Sequence, residues 1–381
     1  MSNSRFDDIR PYRDDEIPSA MCRIAESESF PLIASYVFPD MPLESAARTV
    51  KGYATIREFQ HDAMRRVNEQ VIARSISELS YSGVDALSPG VPYLFVSNHR
   101  DIVLDSCLLQ YILVENGLET TEITFGANLM MNPLVIDIGK ANKMFRVERP
   151  SANIKEFYRS SLHLSEYIRE SVTQRGESVW IAQRNGRTKD GKDLTDQGLI
   201  KMFCLSERKD KVKALADLNI VPVSVSYEWE PCDVLKALER YDSLAGPYVK
   251  KPGEDLNSIL TGILSEKGRV HFHVCKPLSA TELSALGSEA DSEYHRLVAA
   301  LIDKRINATY RLYPNNYIAH DLLYGDAAFK SMYNEGQRAR FLAHMETLAG
   351  SGRTDGKRQR DIFLGIYANP IESKGLTESI K

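Results

Sequence analysis

The chain has 381 residues and a formal net charge of -4, with 48 basic and 52 acidic residues mixed along it. That balance argues against a nucleic-acid binder, and five scattered cysteines (22, 107, 204, 232 and 275) give neither a disulfide framework nor metal-ligand spacing. No apolar run approaches the ~20 residues that cross a bilayer, and the first residues lack a signal-peptide pattern, so a cytosolic location is expected.

Residues 1–40 hold prolines 11, 18, 31 and 39 and read as an irregular arm with short helices. From 43 to 79, Ala46, Val50, Tyr53, Ile56, Phe59, Ala63, Val67 and Val71 recur at helical spacing, and Ile72, Ile76 and Leu79 continue the stripe. The whole of 1–85 is expected to be a helical arm. Ser82-Gly-Val-Asp turns the chain into a buried strand at 93–97. A helix follows from 102, and further strands are expected at 122–128, 143–149, 178–183, 220–228 and 269–275. A long helix covers 152–174, with Phe157, Leu162, Leu164, Tyr167 and Ile168 inward. Shorter helices fall at about 197–205, 208–218 and 232–241, and the tail at 280–309, about 325–349 and 358–367 is helical. Strands alternating with helices predict an α/β core over 86–280. Its sheet is mixed, mostly parallel and covered by helices, and a helical extension fills 281–381.

Two stretches could carry chemistry. Asn98-His-Arg-Asp101 stands just past the end of the strand at 93–97, where α/β folds place functional groups. An imidazole such as His99 can take a proton near neutral pH, and a carboxylate on its other nitrogen would fix its tautomer. Asp101 and Asp105 compete for that place. Asp101 is suited to capping the next helix, whereas Asp105 interrupts an apolar helix and needs a partner, which favours Asp105. The second stretch, Arg184-Asn-Gly-Arg-Thr-Lys-Asp-Gly191, gathers Arg184, Arg187 and Lys189 around two glycines after a strand, a pattern suited to an anion. Arg146 and Arg149 add a further basic cluster, and a parallel sheet would bring His99, Arg149 and Arg187 to one rim. His271 and His273 alternate on a strand without a third ligand nearby, so no metal site is expected.

Four blocks in order give a resemblance: Ser97-Asn-His-Arg-Asp-Ile-Val-Leu-Asp105, Met144-Phe-Arg-Val-Glu-Arg149, Trp180 to Gly191, and Val221-Pro-Val-Ser-Val-Ser-Tyr227. Over about 90–230 the chain resembles the glycerolipid O-acyltransferases, the glycerol-3-phosphate and lysophosphatidate acyltransferase superfamily, and its extra terminal helices look like those of a bacterial branch. The resemblance implies that His99 is a general base and Asp105 (or Asp101) its orienter. Arg149, Arg146, Gly186, Arg187 and Lys189 would hold a phosphate. It further implies acyl-CoA or acyl carrier protein as co-substrate, a glycerolipid acceptor, no permanently bound cofactor, and peripheral attachment to the inner face of the cell membrane.

Five residues separate His99 from Asp105 where the family has four, so the pair needs a bulge or a shifted helix start. The family's motif glutamate is replaced by Asn185 if Gly186 is the motif glycine, or by Arg184 if the Arg187-Thr-Lys run sets the register. That change motivates an alternative acceptor, a lyso-aminolipid or another hydroxylated lipid. The stretched spacing motivates a second, a non-catalytic relative that binds lipid or carrier protein. Leu129-Met-Met-Asn-Pro-Leu-Val-Ile136 is a candidate for contact with the membrane, or for core packing.

Overall fold

The structure is a computed structural model that describes residues 5–130, 132–148, 153–351 and 353–376. Seven strands form one sheet: β1 (Ile76–Ser82), β2 (Leu94–Ser97), β3 (Glu122–Gly126), β4 (Met144–Val147), β5 (Val179–Ala182), β6 (Ile220–Tyr227) and β7 (Gly268–Val274). Their order is β1-β7-β6-β2-β5-β3-β4. Neighbours from β6 across to β4 run parallel, whereas β7 is antiparallel to β6 and parallel to β1. The sheet is thus mixed and mostly parallel, as the alternation of strand and helix patterns predicts. The carboxyl ends of β2 to β6 share one rim.

Alternation along β2 divides the core between the two faces. Leu94 and Val96 face one cluster, which Tyr294, Val298, Ile302 and Ile306 of the helix Asp291–Thr309 complete. Phe95 joins Trp180, Val223 and Val225 on the other face, beneath Leu108, Leu109 and Ile112 of the helix Leu104–Glu115. A buried side chain of this size contributes about 1.5–3 kcal/mol, so reversing the β2 register would be prohibitive.

Three expectations are corrected. Residues 76–82 are not the end of a helix but strand β1. It is an edge strand with one neighbour, and a register shift between Ile76 and Glu78 breaks its alternation, so its periodicity is faint. The helix expected at 325–349 is shorter, Glu335–Met345 with 3-10 turns at Lys330–Met332 and Glu346–Ser351, and an unexpected helix, Pro314–Tyr324, precedes it. Gly325 closes the earlier helix at φ 69°, and Asn334 opens the later one by accepting from the Gln337 N–H. The helix expected at 280–309 divides into Ala280–Ala285 and Asp291–Thr309.

The stretch considered for membrane contact is partly buried against the protein, with Asn132 and Pro133 exposed. Leu134 and Ile138 of the helix Pro133–Ala141 pack on the N-terminal helices, and Leu129 and Met130 pack beneath the sheet. Asp137 clamps the helix by accepting from Tyr12 Oη at 2.7 Å and Arg23 Nε at 2.9 Å. Met131 lies outside the described residues.

Under the rim that carries β2 and β6 lies a buried ionic network. Arg100, 1% exposed, donates to Asp193 from Nε at 3.0 Å and to Glu230 from Nη1 at 3.3 Å. Lys236, fully buried, donates to Glu230 at 2.6 Å and to the Arg100 carbonyl at 2.5 Å. Two cations and two anions balance, which is the condition for keeping charges out of water. Asp193 is the hub, because it also accepts from Asn98 Nδ2 at 3.1 Å and Thr188 Oγ1 at 2.7 Å. Asp193→Ala is expected to lower the unfolding free energy by about 3–5 kcal/mol, because it strands a buried guanidinium. A urea midpoint equal to that of the unsubstituted protein would contradict this reading of the network.

Candidate active site

Strand β2 ends at Ser97, and the next residues curl instead of continuing. Asn98 imitates a strand residue with its side chain, donating to the Val225 carbonyl at 2.9 Å and accepting from the Val225 N–H at 2.7 Å. The turn at 98–101 is thereby tied to β6. Asp101 then caps the helix Leu104–Glu115 by accepting from the N–H groups of Val103 and Leu104, both at 2.9 Å. Asp105 follows in the first helical turn, fully buried.

Asp105, rather than Asp101, reaches His99: Oδ2 lies 3.0 Å from Nδ1. The same oxygen accepts from the N–H groups of Arg100 at 2.7 Å and Asp101 at 2.9 Å. Its Oδ1 accepts from Tyr227 Oη at 2.9 Å. The one extra residue relative to the family spacing is absorbed in the bend at 101–103, which wraps the carboxylate. Burial and then the neighbouring Asp105 charge push the Tyr227 phenol well above its usual range, so it remains a donor. A carboxylate only accepts, so Nδ1 carries the proton and Nε2 is the basic nitrogen.

The loop after β5 is fastened directly to this turn. Thr188 N–H donates to the His99 carbonyl at 2.8 Å, and Gln183 N–H to that of Ser97 at 2.8 Å. Gly186 takes φ 75°, a left-handed conformation in which glycine is unstrained, and it turns the loop beside His99. Arg187 is 8% exposed, and its Nη1 has no hydrogen-bond partner among the described residues. Lys189 is paired with Glu239.

These residues line one cleft of about 1150 Å³, above the usual range for a small-molecule pocket. Arg184, Arg187, Lys189 and Lys250 line it, the two lysines paired with Glu239 and Asp255, and Ile154, Phe157, Leu164, Leu199, Met202 and Leu205 make an apolar lining. Phe157, expected in the core, is half exposed because it faces this cleft. Arg146 does not join: it is exposed and paired with Glu148 at 2.7 Å. Arg149 lies outside the described residues.

Four contributors went unnoticed at the level of sequence. Asn98 and Asp193 have no signal beyond being polar, and Tyr227 and Trp180 stand in the sequence only as strand residues within the fourth and third blocks. Trp180 lines the cleft and meets the His99 ring edge-on at 5.9 Å between centroids. The possible metal ligands that cluster among the described residues, His320, Asp321 and Asp326, belong to the C-terminal helices and not to this cleft.

Comparison with known proteins gives three findings. The profile of the Acyltransferase family matches residues 78–226. A glycerol-3-phosphate acyltransferase of Pseudomonas syringae pv. tomato is 26% identical over 204 residues, 52% of this chain, and the match covers 23% of that relative's length. The crystal structure of the 1-acyl-sn-glycerophosphate acyltransferase PlsC from Thermotoga maritima aligns with a TM-score of 0.38 at 14% identity, over 76% of this chain and 94% of that one. The family profile spans the sheet from β1 to β6, and the Pseudomonas relative names the same chemistry that the four sequence blocks resemble. Over residues 78–226 the chain thus matches the Acyltransferase family model, and over 204 residues it is similar to a glycerol-3-phosphate acyltransferase.

Proposed function

We propose that the protein transfers a fatty acyl group from a thioester, acyl-CoA or acyl carrier protein, to a hydroxyl of glycerol-3-phosphate or its monoacyl product. The observation that carries this reading is a histidine held at 3.0 Å by a fully buried aspartate, at a cleft lined by Arg184, Arg187 and a set of apolar side chains. Nε2 of His99 takes the proton of the acceptor hydroxyl as its oxygen attacks the thioester carbonyl carbon. The tetrahedral intermediate then expels the thiolate, and the imidazolium returns the proton to that sulfur. Asp105 stabilises the transient imidazolium without itself being protonated. No group on the protein becomes acylated, so the two substrates must be held together, and the rate rests on positioning.

Arg187 supports a phosphate-bearing acceptor. It is a buried guanidinium with an unsatisfied donor, Nη1, at the cleft that His99 also lines, and a phosphate would satisfy it through a charge-assisted bond. The apolar lining suits the acyl chain of the donor.

No helix of the described residues is long and apolar enough to cross a membrane. A peripheral contact is supported instead by the helix Glu254–Leu264. Leu256, Leu260 and Leu264 recur every four residues and are all exposed, a stripe suited to the acyl boundary of a bilayer. The opposite side of that helix rests on the catalytic turn. A Cβ on Gly262 would lie 2.3 Å from Asp101 Oδ2, so glycine is needed for the approach. This arrangement would bring the cleft to the lipid surface.

His99→Ala is expected to lose acyl transfer by at least about 100-fold in an assay with long-chain acyl thioester and both phosphate acceptors. Transfer that is independent of His99 would sink the proposal. Arg187→Ala should raise KM for the phosphate acceptor about 10- to 100-fold with a smaller change in kcat. Loss of kcat alone would instead favour an acceptor without phosphate. Replacing Leu256, Leu260 and Leu264 together by Ser should release the protein from anionic vesicles in a sedimentation assay, and unchanged sedimentation would move the membrane contact elsewhere.

A further inference from the structure

The C-terminal helices hold a second cluster that the acyl-transfer chemistry does not use. His320 and Asp321 sit in the last turn of the helix Pro314–Tyr324, and Asp326 follows Gly325, which closes it. One ligand atom from each of the three lies within 4.8 Å of the others. We propose that His320, Asp321 and Asp326 bind a divalent transition-metal ion of the Zn2+ type.

The imidazole carries the argument. His320 is 5% exposed, and its Nδ1 has no hydrogen-bond partner among the described residues. That nitrogen points between two carboxylates, 3.7 Å from Asp321 Oδ1 and 3.8 Å from Asp326 Oδ1. Neither tautomer is satisfied there. A protonated Nδ1 needs an acceptor within about 3.2 Å, and a bare Nδ1 directs its lone pair at two anions. A cation between the three atoms resolves both problems. A tetrahedral ion with bonds of about 2.1 Å separates its ligand atoms by about 3.4 Å, so small side-chain adjustments complete the site.

The surroundings hold the ligands in place. The Tyr324 and Phe329 rings lie 4.6 Å and 4.8 Å from the His320 ring and fix its plane. Asp321 Oδ2 accepts from Tyr333 Oη at 2.8 Å, and its Oδ1 accepts from the Phe329 N–H at 3.1 Å. Orientation of a ligating carboxylate by such a partner is common in metal sites. A cation here also meets the negative end of the helix dipole. One nitrogen and two carboxylate oxygens favour Zn2+, Co2+ or Mn2+ over Mg2+ and Ca2+, which prefer oxygen alone. Asp326 is 46% exposed, which leaves a path for the ion to enter and for water to complete its coordination. The site would join the end of one helix to the turn that leads to the next.

The test is calorimetric titration of the chelator-treated full chain with Zn2+ alone. One saturable site is expected, weakened at least about 10-fold by His320→Gln and by Asp326→Asn, and unchanged by His99→Ala. Zn2+ should raise the melting temperature of the unsubstituted protein and not that of Asp326→Asn. Asp326 is half exposed, so this second variant keeps its fold if His320→Gln does not. Absence of a saturable site, equal affinity in Asp326→Asn, or loss of binding in His99→Ala would each overturn the proposal.

Discussion

The Asp105 carboxylate accepts from three parts of the chain at once: the backbone of the turn at Arg100 and Asp101, the His99 ring, and the Tyr227 phenol at the end of β6. Fully buried, it would be untenable as an anion without those donors. With them, it sets the path of the turn, the start of the following helix and the tautomer of the histidine together. Misplacing any one donor would leave a buried charge undersatisfied, so the geometry is enforced by the cost of its alternatives. A histidine on a loose loop would have no such enforcement.

Behind this carboxylate lies a support of the same kind. Arg100, Asp193, Glu230 and Lys236 join the turn after β2, the loop after β5 and the segment after β6 through buried charges that cancel. Asp193 links both motif loops, because Asn98 and Thr188 donate to it and Thr188 N–H also holds the His99 carbonyl. Arg187 is therefore tied to His99 through the loop backbone, its side chain also meets Cys232, and its Nη1 makes no hydrogen bond among the described residues.

Much of this was legible from residue order. Strands β2 and β6 are short apolar runs with clear boundaries, and the choice of Asp105 over Asp101 followed from asking which carboxylate could survive in an apolar helix without a partner. The capping role of Asp101 was visible for the complementary reason. Strand β1 was not legible, because an edge strand buries little and a register shift spoils its alternation. Nor was the role of Leu129 to Ile136: periodicity marks an apolar face but does not say whether protein or lipid covers it, and here Leu134 packs partly on the N-terminal helices while Leu129, Met130 and Val135 pack partly on the sheet's cluster. Asp193 escaped because its importance is entirely long-range. Nothing near it in sequence reveals that it meets Asn98 and Arg100, more than ninety positions earlier.

The terminal helices contribute more than bulk. The helix Asp291–Thr309 completes one face of the sheet, and Tyr367 donates to Asp233 at 2.6 Å while accepting from the Glu230 N–H at 3.0 Å, so the tail is wired to the edge of the ionic network. The central claim is geometric: one cleft presents Nε2 of His99 and the guanidinium of Arg187 to the same small acceptor. A crystal structure with glycerol-3-phosphate tests it most directly. The account predicts phosphate oxygens on Arg187 and an acceptor hydroxyl within about 3.2 Å of His99 Nε2. A phosphate seated away from Arg187, with every hydroxyl out of reach of His99, would contradict it.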